Sequence, residues 1–149
     1  MSVAGETLGR SLIFLSILLF LFCGCGLKTS AGIPAEVESV IGTVTDDIAQ
    51  ERYDKVCGEA SSLWKENATA EQSAEVLKTL HAKLGTVQNR VLHSATEQEN
   101  SGGPLKGHVF IVTYTTKFER GEAMETFTVI DENGRWKLAR YLVNSTALK

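Results

Sequence analysis

Metal-binding and nucleotide-binding motifs are absent from this sequence. Its three cysteines form no Cys-x-x-Cys pair and no spaced cluster with histidine, and no His-Glu-x-x-His motif occurs. We therefore expect neither a metal site nor a bound cofactor. The glycine pair in Ser101-Gly-Gly-Pro104 leads into a strand pattern and not into a helix, so it does not predict a phosphate-binding loop.

Positive charge is also scarce. The chain has 15 Lys and Arg against 18 Asp and Glu, a formal net charge of −3. No basic stripe with interleaved aromatic residues is present, which disfavours a nucleic-acid partner. The hydrophobic fraction of 43% and the charged fraction of 22% are close to the averages for soluble globular proteins. They exclude a polytopic membrane protein, a collagen-like chain and a disordered acidic tail.

The long hydrophobic run of the sequence lies near its N-terminus. Residues 11–22, SLIFLSILLFLF, carry no charge and follow a short polar region that ends in Arg10. This order predicts a secretory signal peptide over residues 1–24. The alternative is an uncleaved helical anchor, but the uncharged run from Ser11 to Leu27 is at the lower limit of length for crossing a bilayer.

The segment Phe22-Cys23-Gly24-Cys25 resembles the lipobox of bacterial lipoproteins, in which a small residue precedes the cysteine that receives a diacylglycerol. The resemblance implies a Cys25 modified by acyl chains such as palmitate, a lipidated tether over residues 25–34 and membrane attachment through this anchor. Two or more acyl chains hold a protein stably on a membrane. Since Gly26 follows the cysteine, similarity to Gram-negative sorting rules implies the cell envelope, at the periplasmic face of the outer membrane.

The cysteine count changes if the leader is removed. With Cys23 cleaved off and Cys25 acylated, Cys57 is the one cysteine left, so the mature chain can form no internal disulfide. Unpaired cysteines are among the most buried residues of folded proteins. We expect Cys57 to be a small core residue and not a nucleophile.

Residues 35–149 have the size of one domain, and their hydrophobic pattern begins with helices. Apolar residues recur at helical spacing between Val37 and Ile48 and again between Val56 and Trp64. The third predicted helix begins at Thr69, which forms a capping-box pattern with the residue three positions on, and it ends at Gly85.

After Gly85 the hydrophobic period changes to two, and strands are predicted at residues 87–94, 108–118, 124–131 and 135–143. Asn133-Gly134 is a strong hairpin signal between the last two strands. Helices followed by an antiparallel meander indicate an α+β fold with the N-terminal helices packed on a sheet of about four strands.

Register predicts which residues share the core face of this sheet. Two-residue turns at Arg120-Gly121 and Asn133-Gly134 would place Tyr114 and Arg140 on either side of Phe127, on one apolar face. The apolar members of that face are Phe110, Val112, Tyr114, Phe118, Phe127, Val129, Trp136, Leu138 and Leu142.

Two charged residues fall on the same predicted face. Glu125 would lie opposite Thr116 and Leu142 and diagonal to Arg140. An isolated buried charge is costly, so Glu125 and Arg140 are expected to pair. They form either a structural ion pair or, together with Tyr114, the polar lining of a pocket.

Several short segments together resemble a family of small bacterial exported proteins that carry a domain of unknown function. The segments are Leu84-Gly85 with Arg90, Tyr114 with Phe118 and Glu125-Thr126, and Gly134-x-Trp136 with Tyr141. The resemblance covers roughly residues 35–145 and extends to the nuclear-transport-factor-2-like (cystatin-like) group. It implies helices packed in the concavity of a curved, cone-like antiparallel sheet. Arg140 departs from the family's small residue at this position, and the family implies no established activity.

Three functions are compatible with this sequence. The leading one is a lipid-anchored extracytoplasmic binding or interaction module that holds a small apolar ligand or an envelope protein, with Tyr114, Phe127 and Trp136 as further pocket lining. The second is an isomerase- or dehydratase-type enzyme that uses the cone pocket, for which fold analogy alone argues. No catalytic residue is assigned, because no histidine has a spacing that couples it to an acid. The third is a purely structural envelope component.

Overall fold

The computed structural model describes residues 32–149 of the chain. The predicted signal peptide, the lipidation site at Cys25 and most of the predicted tether lie outside the described residues. Within residues 32–149, no helix is both long enough and apolar enough to cross a membrane.

Four α-helices open the domain. They are α1 (Ala35–Ala49), α2 (Tyr53–Glu59), α3 (Ser62–Asn67) and α4 (Ala70–Leu84). The capping box that starts α4 forms as predicted, because the Thr69 hydroxyl accepts from the Gln72 backbone N–H while the Gln72 side chain accepts from the Thr69 N–H. Gly85 ends this helix with a φ of 78°, a conformation that favours glycine.

The predicted second helix is divided into α2 and α3. The break falls at Ser61, whose backbone N–H donates to the carbonyl of Leu138 in the sheet at 2.9 Å. The Ser61 hydroxyl then caps α3 by accepting from the Trp64 N–H at 3.2 Å. A contact with a strand more than 70 positions later therefore interrupts a helical pattern that is continuous in the sequence.

The sheet is an antiparallel meander of four strands in the order β1-β2-β3-β4. The strands are β1 (Val87–Asn100), β2 (Gly107–Phe118), β3 (Gly121–Asp131) and β4 (Trp136–Asn144), and a short 3-10 helix (Thr146–Leu148) follows. β1 is six residues longer than predicted, because residues 95–100 pair with β2 while their side chains are mostly exposed. A strand segment exposed on both faces shows no apolar alternation that could reveal it.

Both hairpin turns were predicted, and one register is shifted. Asn133 and Gly134 have φ values of 58° and 78°, as a type I′ turn requires, and Val129 pairs with Leu138 as expected. The β2–β3 turn uses residues 119–120, so Phe127 pairs with Val112 and not with Tyr114. A shift of two residues leaves every side chain on its predicted face.

The predicted position of Arg140 on the core face is wrong because β4 contains a bulge. Leu138 pairs with Val129, whereas Arg140 pairs with the adjacent Thr128, so Ala139 is an additional residue in β4. One extra residue inverts the faces of the rest of the strand. Arg140 and Leu142 are consequently exposed on the opposite face. Tyr141, which lies between them in the sequence, is opposite Phe127 on the core face.

The hydrophobic core fills the space between the helices and this face of the sheet, which confirms the α+β fold class. Helices and sheet both contribute to it: Val37, Ile41, Val44, Val56, Cys57, Leu77, Phe110, Val112, Phe127, Val129 and Leu138. Cys57 is 3% exposed, which confirms the expected core position. Burial raises the pKa of its thiol and so suppresses the nucleophilic thiolate.

A buried polar cluster beside a small cavity

A carboxylate lies within the apolar face of the sheet. Glu125 on β3 is 1% exposed. Its Oε2 accepts hydrogen bonds from Arg90 Nε at 2.8 Å and from Thr116 Oγ1 at 2.5 Å. Its Oε1 accepts from the hydroxyl of Tyr141 at 2.5 Å. Both oxygens of the buried carboxylate are thus satisfied by side chains from the three other strands.

The registers explain how these strands meet at Glu125. Arg90 on β1 pairs with Thr116 on β2, and Glu125 lies diagonal to Thr116 on the same face. On the other side the bulge at Ala139 turns Tyr141 toward this face. Without that additional residue, the side chain beside Glu125 would be the arginine that precedes Tyr141.

Arg90 is held by aromatic rings as well as by the carboxylate. Its side chain is 20% exposed, and its Cζ lies 5.7 Å from the ring centroid of Tyr114 and 5.8 Å from that of Phe127. Guanidinium groups over aromatic faces gain cation–π energy and a fixed plane. Within residues 32–149, the one side-chain hydrogen bond of Arg90 to protein uses Nε. The donors on Nη1 and Nη2 therefore remain available.

The phenols of the cluster stay protonated. Burial, with a further contribution from the nearby Glu125 carboxylate, raises the pKa of Tyr141 well above its ordinary value. Burial also raises the pKa of Tyr114, although the charge of Arg90 opposes this shift. Tyr141 is therefore a hydrogen-bond donor to Glu125 throughout the physiological pH range.

A small, partly open cavity lies against this cluster, between helices α1 and α4 and the sheet. Its volume is about 40 Å³. Its polar lining is Thr45, His81, Thr86, Arg90, Glu125 and Tyr141, and its apolar lining includes Ile48, Leu77, Leu80, Leu84 and Phe118. A buried water needs roughly 10–15 Å³, so the space admits a small ligand group. Drug-sized ligands occupy pockets of several hundred Å³.

Histidine 81 lies at the outer side of this cavity. Its Nδ1 is 2.9 Å from the hydroxyl of Tyr53 on α2. The same imidazole also borders a surface depression that contains Glu119 and Arg120. His81 therefore borders both the cavity and this depression, and the bond to Tyr53 restrains its ring.

Three of the five predicted lining residues lie together. Tyr114 and Phe127 pack edge to face with ring centroids 6.0 Å apart, and Glu125 is beside them. Trp136 lies at the start of β4, where it packs on Phe110 and His108 beside another groove. Arg140 is exposed and borders a separate groove beside Tyr141. The predicted Glu125–Arg140 pair is replaced by a pair with Arg90.

Arg90 and Tyr141 are the functional candidates that sequence reasoning did not assign. Both belong to the segments on which the family resemblance rested, and this was the available signal. The pattern of apolar residues contains no signal for Arg90, because this residue lies in a strand whose other side chains are mostly exposed. The sequence predicts Thr116 beside Glu125, and its hydroxyl does contact that carboxylate.

Fold and site together define a small α+β domain whose helices cover one face of a four-stranded sheet, with a charged cluster buried in their interface. The sequence model of the family described as "Protein of unknown function (DUF4019)" matches residues 43–141. The chain belongs to this family. The match includes Arg90 and Glu125, and Tyr141 is its last residue.

Comparison with solved structures gives a more distant similarity. The crystal structure named "Putative Scytalone Dehydratase" from Novosphingobium aromaticivorans aligns with a TM-score of 0.45 and 10% sequence identity. The alignment covers 74% of this chain and 82% of that chain. No curated protein matches the sequence.

Proposed function

We propose that this chain is a lipid-anchored extracytoplasmic protein whose domain binds a small ligand in the cavity between α4 and the sheet. Cys25 carries the lipid, and the domain works as a binding module of the cell envelope at the periplasmic face of the outer membrane. The observation that carries the ligand-binding part is the charged cluster of Arg90 and Glu125 beside the cavity.

Stability alone does not account for this cluster. Desolvation of two charges often costs as much as their attraction returns, and well-packed apolar residues in their place are commonly at least as stabilising. Glu125 is 1% exposed and its partner is 20% exposed, so both charges are largely removed from water. A costly pair that borders a cavity is typical of a binding site.

The contacts of Glu125 favour binding over acid–base catalysis. A general base needs a free lone pair within reach of the substrate proton. Glu125 already accepts three hydrogen bonds, one of them from a guanidinium. This arrangement suits a fixed structural anion that is paired with Arg90.

The lipid anchor is tested by substituting each cysteine of the lipobox. We expect Cys25→Ser to block processing and to abolish incorporation of labelled palmitate, so that only the unprocessed precursor is found. Cys23→Ser is the matched control, because that residue belongs to the removed leader. If Cys25→Ser is processed and acylated like the unmodified protein, the anchor assignment is wrong.

Ligand binding is tested by native mass spectrometry of the full chain extracted from its own membrane. We expect a bound small molecule that disappears in Ala49→Phe, since Ala49 is an exposed residue of α1 that lines the cavity. Ala35→Phe introduces the same side chain at an exposed position at the other end of α1 and serves as the control. An adduct that persists equally in both variants would contradict binding in this cavity.

A further inference from the structure

We infer that the ligand of this cavity is a short-chain carboxylate whose carboxylate group is bound by the terminal Nη groups of Arg90. The inference rests on the proposed ligand-binding function and adds the chemical class of the ligand. Three properties of the cavity lead to it: the excess of hydrogen-bond donors, the volume, and the apolar character of the remaining lining.

Donors exceed acceptors among the polar groups at the cavity. A guanidinium has five N–H donors. Among the described residues, one of those of Arg90 is used, the bond from Nε to Glu125. The carboxylate of Glu125, by contrast, already accepts from three side chains. A ligand that supplies acceptor oxygens would therefore satisfy groups that the protein leaves available.

The arrangement of Arg90 suits a planar anion. Because Nε is bound to Glu125, the pair of Nη groups forms the open end of the guanidinium, which can donate two parallel hydrogen bonds to one carboxylate. The rings of Tyr114 and Phe127, with centroids 5.7 and 5.8 Å from Cζ, restrict its movement. A guanidinium fixed in this way loses little further freedom when it binds a ligand.

The volume limits the size of the bound group. A cavity of about 40 Å³ is roughly ten times smaller than the pockets of drug-sized ligands, which restricts the bound part to a small group such as a carboxylate. The remaining lining is apolar, with Ile48, Leu80 and Phe118 among its members, and it reaches the exposed Ala49. This favours an alkyl group of a few carbons behind the carboxylate.

The probe is butyrate, with butyramide as the neutral molecule of nearly the same shape. Both are titrated against the full chain in detergent, with binding followed by ligand-observed NMR. A charge-assisted hydrogen-bond pair that only butyrate can form should make its affinity at least about tenfold higher. Arg90→Gln should remove this preference, and Arg135→Gln is the matched control because Arg135 is exposed between β3 and β4 and does not line the cavity.

A second variant keeps Arg90 and changes its partner. Glu125→Gln retains one amide oxygen as a hydrogen-bond acceptor within the cluster. It removes the negative charge of Glu125, which repels the carboxylate of a ligand bound beside Arg90. We expect butyrate to bind several-fold more tightly to this variant, and butyramide to bind unchanged. Thermal melts of each variant identify any that fails to fold, and Glu125→Gln tests the inference even if Arg90→Gln does not fold.

The outcomes separate this inference from the proposed function. If butyrate and butyramide bind equally and Ala49→Phe blocks both, the cavity binds ligands but the carboxylate inference is wrong. The inference also fails if butyrate binding is unaffected by Arg90→Gln, or if Glu125→Gln weakens it. If neither probe binds while the extracted protein carries a cavity ligand, only the inference fails. If no cavity ligand is found either, both fail.

Discussion

Removal of Arg90 alone should destabilise the domain more than removal of both charges of its pair. Arg90→Met leaves Glu125 at 1% exposure without its cationic partner. Breaking a buried pair costs about 3–5 kcal/mol. Since Tyr141 and Thr116 still donate to the carboxylate, we expect the lower end of this range, about 3 kcal/mol. For a domain of this size, unfolding entropy of about 2 cal/mol/K per residue converts this into a Tm decrease of about 12 °C.

The double variant Arg90→Met/Glu125→Gln should recover most of that loss. It contains neither buried charge, and the amide still accepts from Tyr141, so its free energy of unfolding should lie within about 1 kcal/mol of the unmodified protein. The coupling energy between the two positions would then be about 2 kcal/mol or more. Arg140→Met, an exposed arginine on the opposite face, should change stability by less than about 0.5 kcal/mol.

Urea unfolding of the full chain in non-ionic detergent measures these differences through the fluorescence of Trp64 and Trp136. Trp64 packs between α3 and the core and donates to Ser73, and Trp136 packs on Phe110, so both report tertiary structure. The reasoning is refuted if Arg90→Met is as mild as Arg140→Met. It is also refuted if the effects of the two substitutions simply add in the double variant.

Three further predictions concern the helices. Burial raises the pKa of Asp47, but hydrogen bonds and charge attraction from Arg52 and Lys55 outweigh this effect and lower the pKa below its ordinary value of 3.8 in the folded state. The stability that Asp47 contributes is therefore present above its ordinary pKa and is lost as the pH falls through its folded-state pKa. Asp47→Asn should cost about 1–3 kcal/mol at pH 7 and clearly less at pH 3 in urea titrations. Thr69→Ala removes the cap of α4 and should lower the free energy of unfolding by about 1 kcal/mol, whereas Thr69→Ser should change it little. The raised pKa and burial of Cys57 predict that its thiol reacts with a thiol reagent at native pH at least tenfold more slowly than in urea; equal rates would place it at the surface.

Much of the local structure follows from the sequence alone. The capping-box pattern at Thr69 and the glycine at position 85 mark the ends of α4, because their effects involve only groups within one helical turn. Asn133-Gly134 marks the last hairpin for the same reason, since its backbone geometry is local. The order of helices and strands that these signals delimit is sufficient to predict the α+β fold class.

Only the tertiary structure decided which charged residues meet. The additional residue at Ala139 reverses the face of every later side chain of β4. Ala139 is buried against Val109 of β2 and Ile130 of β3, a contact that the alternation of apolar and polar residues along β4 does not reveal. Arg90 reaches Glu125 from β1, 35 positions earlier, through pairing with β2. Hydrophobic periodicity identifies the face of a strand, whereas the identity of a buried ion pair depends on registers and bulges set by contacts between distant segments.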